Sequence, residues 1–279
     1  MEVFKTIFLM TVLTLLFIVV GGYIGGQNGM LIAFGIAVAM NFFSYFYSDK
    51  LVLRHYRAVE VSRKNAKGFY EIVERLAQKA NIPMPKVYII PESVPNAFAT
   101  GRNPKNAAVA ATEGLLNLLT PQEIEGVMAH ELSHVRHYDI LIGSIAATIA
   151  GAIAIVANIM HYGAMSGKNR QNPIIMIAIA IILPLAAAII QMAISREREY
   201  KADEGAAKIT KHPEWLQSAL LKLDAYAKGG VMQQASQESA HMFIINPFSG
   251  KNISFASLFS THPSTQDRIA KLETLKGRV

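Results

Sequence analysis

Residues 120–137 read TPQEIEGVMAHELSHVRH, and they predict one helix with a well-defined start. Thr120 is a preferred N-cap residue, and Pro121 fits the first helical position because its missing N–H needs no partner there. Glu123 stands three residues after the cap, so its carboxylate can accept the N–H of the cap residue and complete a capping box. We therefore expect a helix from about residue 121 to residue 137.

This helix carries the motif HExxH at residues 130–134. His130 and His134 are four residues apart, which places both imidazoles on one helical face about one turn apart. Two nitrogens in that arrangement reach one tetrahedral zinc ion, and the carboxylate of Glu131 is placed to act as a general base on water. The chain contains no cysteine, so any further ligand has to be a histidine or a carboxylate.

The third zinc ligand must come from elsewhere, because a catalytic zinc takes three protein ligands and keeps one position open. An extended motif would place a histidine six residues after His134, but that residue is Ile140. Glu199 and Asp203 are four residues apart on one face of a predicted helix, whereas Glu197 faces elsewhere. Glu199 can complete the ligand set while Asp203 fixes the tautomer of a ligand imidazole. The same spacing also fits an ordinary solvated stripe, and spacing alone does not separate the two.

Long uncharged segments indicate a membrane protein. No charged residue lies between Lys5 and Asp49, nor in residues 140–167 or 171–195. The first segment is too long for one crossing, and its glycine-rich residues 21–29 predict a turn between two spans of about 18–20 residues. The later segments give one span each, which makes four transmembrane helices. A cleaved signal peptide is the competing interpretation of the first span, but no small-residue cleavage site precedes the second.

The basic residues predict the orientation of these spans. Lysines and arginines follow the second and fourth spans, and none lies in the 21–29 turn; they are Lys50, Arg54, Arg57, Arg63, Lys64, Lys67, Arg196, Arg198, Lys201, Lys208 and Lys211. Lys168 and Arg170, between the third and fourth spans, oppose this trend. Both large polar segments are therefore expected in the cytoplasm. Their acidic and basic residues are nearly balanced, so the net charge of +7 does not indicate nucleic-acid binding.

The polar segments predict helices around a small sheet. Helical patterns cover residues 62–80, 113–119, 121–137, 195–210, 213–227 and 264–276, and β-type runs cover 86–90, 96–101 and 107–111. Residues 228–242 are rich in Gly, Gln and Ser and predict a surface loop. The expected division is a transmembrane hairpin (1–47), a catalytic part with HExxH (48–139), a second transmembrane hairpin (140–195) and a catalytic part with Glu199 and Asp203 (196–279).

The chain resembles the HtpX family of membrane metallopeptidases, relatives of the type I CAAX prenyl proteases. The matching segments are the two N-terminal spans, Asn96-Ala97-Phe98-Ala99, His130–His134, Glu199–Asp203, and Thr261-His262-Pro263 with Arg268. The resemblance implies a mainly α integral membrane protein with four transmembrane helices. Its catalytic domain is expected to be cytoplasmic, α+β and zincin-like, with a small β-sheet.

The resemblance also implies roles for the matching residues. One zinc ion per chain is expected to be bound by His130, His134 and Glu199, with Glu131 as the general base. His262 is expected to help stabilise the tetrahedral intermediate, and Arg268 is a further candidate. Asn96, Ala97, Phe98 and Ala99 resemble the family's substrate-binding strand, with which an extended peptide could pair through main-chain hydrogen bonds. An ordinary buried strand is the alternative for so short a run.

The implied function is zinc-dependent endopeptidase activity in the bacterial inner membrane. Its expected substrates are damaged or misfolded membrane proteins or unfolded polypeptides, cleaved at the cytoplasmic face of the lipid bilayer. A transporter is one alternative, but the spans contain few polar residues (Asn41, Ser144, Thr148 and Gln191) and no ionisable one. A zinc-binding scaffold without proteolysis is another, and such a scaffold would have no need of Glu131.

Overall fold

The computed structural model describes residues 2–143, 145, 196–229 and 263–279. Its helices are α1 (Glu2–His55), α2 (Lys67–Ala80), α3 (Glu113–Leu118), α4 (Pro121–Arg136), α5 (Arg196–Thr210), α6 (Pro213–Lys228) and α7 (Thr265–Glu273). The strands are β1 (Val59–Val61), β2 (Lys86–Ile90), β3 (Ala97–Gly101) and β4 (Ala107–Thr112). The bulk of the third and fourth predicted spans, most of the 228–242 loop, and His262 lie outside the described residues.

The helix α1 contains the first predicted membrane hairpin. Its backbone leaves the helix only at Gly25 and Gly26, and Gly26 has a φ of 58°. Glycine reaches such a conformation without a steric cost, so two residues suffice to reverse the chain and the break is shorter than the predicted turn at 21–29. Gly21 and Gly29 flank the break so closely that a methyl group on Gly29 would overlap the Gly21 carbonyl oxygen.

The two arms of α1 run antiparallel. Asn41 in the second arm donates from Nδ2 to Thr14 Oγ1, at 2.8 Å, and to the Met10 carbonyl oxygen, at 3.4 Å. Within the part of the chain that the structure describes, the second arm, Gly25–His55, is the helix long and apolar enough to cross a bilayer. Only 17% of its most apolar window is buried, unlike the core helix of a soluble protein, so its exposed apolar surface fits contact with lipid.

The four described strands form one mixed sheet in the order β1-β2-β4-β3. β1 pairs with β2 and β3 pairs with β4 in antiparallel fashion, whereas β2 and β4 are parallel. A 3₁₀ turn at Pro104–Asn106 closes the predicted hairpin between β3 and β4. β3 is thus an edge strand of the described sheet.

Helices cover one face of the sheet, and the end of α1 covers the other. Val87, Val109 and Ala111 join one buried cluster with apolar residues of α2, α4 and α6. On the opposite face, Ile90, Phe98, Ala108 and Ala110 pack with Val52 and Leu53 at the end of α1. The alternation of side chains along each strand produces the two clusters and packs the sheet against the end of α1.

The helix α4 begins as predicted. Thr120 Oγ1 accepts the N–H of Glu123, and Glu123 Oε2 accepts the N–H of Thr120 at 2.7 Å, which confirms the capping box. Pro121 occupies the first helical position. Ser218 and Lys222 of α6 also bind the Glu123 carboxylate, at 2.6 and 2.8 Å, so the cap joins α4 to α6.

Candidate active site

Three side chains with metal-binding atoms converge between α4 and α5. Nε2 of His130 and Nε2 of His134 are 3.2 Å apart. The carboxylate oxygens of Glu199 lie 3.6 Å from the first nitrogen and 3.5 Å from the second. The ligand atoms of the three residues all lie within 4.8 Å of one another. The structure therefore brings together residues that are about 65 positions apart in the sequence.

Small residues allow α5 to approach α4 closely enough for this convergence. A methyl group on Gly205 would overlap Ser133 Oγ, so the two helices touch at that point. Ala202 and Ala206 are buried on the same side of α5. Because the side chains at the contact are this small, Glu199 reaches the two histidines from the neighbouring helix.

Asp203 and Arg268 lie behind His130. Asp203 Oδ1 is 2.9 Å from His130 Nδ1, and the guanidinium of Arg268, from α7, donates to both oxygens of Asp203 at 2.6 and 2.9 Å. All three side chains are at least 97% buried. Burial alone would raise the pKa of Asp203, but Arg268 and His130 lower it, so the carboxylate is held in its charged form.

Asp139 lies behind His134 in the same manner. Asp139 Oδ2 is 3.0 Å from His134 Nδ1, and Arg198 Nη1 is 3.8 Å from the other oxygen of Asp139. Burial alone would lower the pKa of His134, but hydrogen bonds with Asp139 and Glu199 raise it to about 10. The sequence pattern did not identify Asp139, because it stands five residues after His134, beyond the end of α4, where helical spacing no longer predicts contacts.

Glu131 lies beside the three converging side chains and is 6% exposed. Burial raises the pKa of Glu131; nearby His130 and His134, and the backbone N–H of Ala99 in β3, counteract part of that effect. A carboxylate whose pKa is raised towards neutrality can both accept and return a proton. The upward shift of the Glu131 pKa is in the direction that favours a proton acceptor.

β3 runs alongside Glu131. The N–H and C=O groups of successive residues in β3 point alternately towards β4 and away from it. The carbonyl oxygen of Asn96 accepts the N–H of Thr112 at 2.9 Å, so residue 96 faces β4. In an antiparallel pair the next residue faces away, which directs the N–H and C=O groups of Ala97 and Ala99 away from β4. The contact of the Ala99 N–H with Glu131 agrees with this alternation.

Two of the predicted strand residues have distinct surroundings. The Phe98 side chain packs on the opposite face of the sheet, where its ring centroid is 5.6 Å from that of Tyr56. Asn96 is 4% exposed, and its Oδ1 is buried without a hydrogen-bond partner. An unsatisfied buried amide oxygen is rare, and this one is able to accept a further N–H.

The donor set fits a divalent metal ion. In each histidine a carboxylate engages Nδ1, which leaves Nε2 as the atom that faces the other ligands. Two imidazole nitrogens and one carboxylate, with ligand atoms this close together, form a donor set typical of catalytic metal sites that keep one position open.

Comparison with known proteins gives the family. The family model described as Peptidase family M48 matches residues 63–276. The chain is 68% identical to a protein named Protease HtpX homolog from Campylobacter curvus, over 99% of this chain and 98% of that protein. A Protease HtpX homolog from Sulfurovum is 60% identical, over 99% of this chain and 100% of the relative.

A solved structure shares the fold. The crystal structure of Ste24p from S. mikatae superposes with a TM-score of 0.54 at 18% sequence identity. The match covers 98% of this chain and 65% of that protein, so this chain spans slightly less than two thirds of its length. From the family match, the near full-length relatives and the converging metal-binding residues, we conclude that this chain belongs to peptidase family M48, within the HtpX group of membrane metallopeptidases.

Proposed function

We propose that the protein is a zinc-dependent endopeptidase of the bacterial inner membrane that cleaves damaged or misfolded membrane proteins at the cytoplasmic face. The spacing of the three candidate ligands carries this proposal. Zinc bonds of about 2.0–2.1 Å in a tetrahedron separate neighbouring ligand atoms by roughly 3.3 Å. The two Nε2 atoms are 3.2 Å apart, Glu199 Oε2 is 3.6 Å from that of His130, and Glu199 Oε1 is 3.5 Å from that of His134; these separations fit one zinc ion per chain.

The residues around the zinc site divide the chemistry among them. Zinc bound there supplies Lewis acidity, which polarises a peptide carbonyl and acidifies water. Glu131 accepts the proton of the attacking water and passes it to the leaving amine. Asp203 holds the Nδ1–H of His130, so that Nε2 keeps its lone pair for the metal, and Arg268 keeps Asp203 charged. His262 completes the proposal as the donor that steadies the oxyanion.

The edge strand β3 is the proposed substrate-binding element. An extended peptide laid beside it would pair with the N–H and C=O groups of Ala97 and the C=O group of Ala99, which face away from β4. The buried Oδ1 of Asn96 would accept a further N–H from the peptide backbone. Main-chain pairing tolerates many side chains, which suits an enzyme that removes damaged proteins of varied sequence. Phe98 contributes its backbone, since its side chain packs against Tyr56.

The proposed architecture has four spans. In sequence order, a transmembrane hairpin (1–47) is followed by a catalytic part (48–139), a second transmembrane hairpin (140–195) and a second catalytic part (196–279). The apolar exposed arm of α1 and the basic residues after it support a cytoplasmic position for both catalytic parts.

Replacement of Glu131 tests the activity. Glu131→Gln should abolish casein cleavage by the purified detergent-solubilised protein and leave one zinc per chain, because the base is lost and the ligands stay. Glu125→Gln is the matched control, as Glu125 lies on the same helix and pairs with Arg75 away from the site. Wild-type turnover by the Glu131→Gln protein would contradict the proposed function.

A further inference from the structure

An aspartate lies beside Nδ1 of each candidate ligand histidine, and an arginine lies next to each of these aspartates. The set behind His130 is Asp203 with Arg268. The set behind His134 is Asp139 with Arg198, and no residue of this second set follows from the HExxH or Glu199–Asp203 spacing. Asp139 is 8% exposed and His134 Nδ1 is 3.0 Å from its Oδ2. Such a buried carboxylate beside an imidazole is a partner rather than a solvated surface charge.

The backbone places Asp139 there at a conformational cost. The helix α4 ends at Arg136 with His137 as its C-cap, and Tyr138 has a φ of 64°, the left-handed region that a bulky residue rarely adopts. This single residue redirects the chain so that Asp139 lies beside a side chain of the helix that has just ended. A strained residue next to a functional group indicates that the surrounding contacts maintain the geometry.

We propose that Asp139, held by Arg198, is the positioning residue of His134. Asp139 accepts the Nδ1–H, fixes the tautomer with Nε2 towards the metal and increases the basicity of the ring. This inference rests on the proposed metal site. Arg198 immediately precedes Glu199 on α5, so one helix supplies both the third candidate ligand and the cation whose Nη1 lies 3.8 Å from Asp139 Oδ1. A movement of α5 would therefore shift the ligand Glu199 and, through Arg198 and Asp139, also the orientation of the ligand His134.

Zinc affinity distinguishes this role from simple packing. Metal is removed from the full-length detergent-solubilised protein, and zinc is then titrated against a chromophoric chelator. Asp139→Leu, which has no acceptor, should bind zinc roughly 10–100-fold more weakly than the wild type. Asp139→Asn, which keeps an acceptor oxygen, should lose less, and Arg198→Met should lose less than Asp139→Leu. Glu204→Gln is the control, since this exposed carboxylate on α5 pairs with Lys208.

Cobalt substitution supplies a second readout. A reoriented His134 should change the visible absorption of the cobalt-loaded Asp139→Leu protein, and Asp139→Asn should restore part of the wild-type spectrum. Zinc affinity and a cobalt spectrum equal to wild type in Asp139→Leu would overturn the inference, as would an Asp139→Asn protein no better than Asp139→Leu. A wild-type protein that binds zinc but cleaves no casein would contradict the proposed function while leaving the affinity order as a separate result.

Discussion

Glu197 and Glu199 stand two positions apart on α5, and the helix turns about 200° between them. The Glu197 side chain is 74% exposed and pairs with Lys201, whereas that of Glu199 is 7% exposed and faces both candidate ligand histidines. Two carboxylates of the same chemistry thus have opposite environments within one helical turn. They form a matched pair for testing the third ligand.

Glu199→Ala should lose zinc, and Glu197→Ala should retain one zinc per chain. The first change removes one of three protein ligands, and the second removes a solvated ion pair of little energetic consequence. Metal stoichiometry of the two purified proteins checks this expectation. Equal zinc content in both would refute the assignment of Glu199.

The spacing of residues along the sequence predicted some members of the site. The other members are brought to it by contacts between distant parts of the chain. Glu199 and Asp203 could be grouped because residues four apart share a helical face. The contacts of Asp203 with His130 and of Arg268 with Asp203 depend on the packing of α7 against α5. The sequence contains no periodic signal for that packing. Asp139 was missed for a related reason: its position follows from the left-handed backbone of Tyr138.

Among the secondary-structure elements, α4 is held at its N-terminus by Glu123. Burial alone would raise the pKa of Glu123, but hydrogen bonds from Lys222, Ser218 and Thr120 lower it below its ordinary value of 4.5. A carboxylate with a lowered folded-state pKa stabilises the fold above the unfolded-state pKa, and this contribution disappears as the pH falls through the folded-state value. The contribution is therefore complete at neutral pH.

Glu123→Gln should lower the apparent melting temperature of the solubilised protein at pH 7 by about 2–6 °C. This corresponds to a loss of about 1–2 kcal/mol of capping and charge-assisted hydrogen bonding. The difference from wild type should shrink as the pH falls below 4.5. Glu71→Gln, at a surface carboxylate 3.8 Å from Arg63, should change the melting temperature little at any pH. A pH-independent difference for Glu123→Gln would contradict the assigned role of its charge.

The backbone of β3 makes a separate prediction about substrate binding. Ala97→Pro removes an N–H that faces away from β4, so the sheet keeps its own hydrogen bonds. Loss of one peptide hydrogen bond of about 0.5–1.5 kcal/mol should reduce kcat/KM roughly 2–10-fold at normal zinc content. Ala97→Ser keeps the N–H and should behave as wild type. Unchanged kinetics in Ala97→Pro would rule out pairing at this position.

Local signals predicted most elements but not their arrangement. The capping box located the start of α4, and apolar residues at helical spacing located α2, whose buried set is Phe69, Ile72, Val73, Leu76, Ala77 and Ala80. β1 was missed because three residues show too little periodicity. The helix predicted at 62–80 began too early, since residues 62–66 form a turn and α2 starts at Lys67. The parallel pairing of β2 with β4 depends on a crossover contact that no local pattern contains.

At the scale of the whole molecule, the membrane topology is open to direct labelling. The chain has no cysteine, so single cysteines report their own position. Asn28→Cys, beside the break in α1, should react with a membrane-impermeant maleimide on intact cells, whereas Lys64→Cys, at an exposed position proposed to be cytoplasmic, should react only after lysis. Labelling of Lys64→Cys but not Asn28→Cys in intact cells would invert the proposed orientation.

The contact of Arg268 with the site has a consequence for the newly made protein. Arg268 follows His130 by 138 residues in the sequence, although Arg268 Nη2 and His130 Nδ1 are 3.4 Å apart. At about 5–20 residues per second, a ribosome needs roughly 7–28 s to proceed from one to the other. Throughout that interval the HExxH helix lacks the cation that keeps Asp203 charged, and for the first half of it lacks Glu199 as well. We therefore expect the proposed peptidase site to stay incomplete in a growing chain until α7 has been translated and has packed.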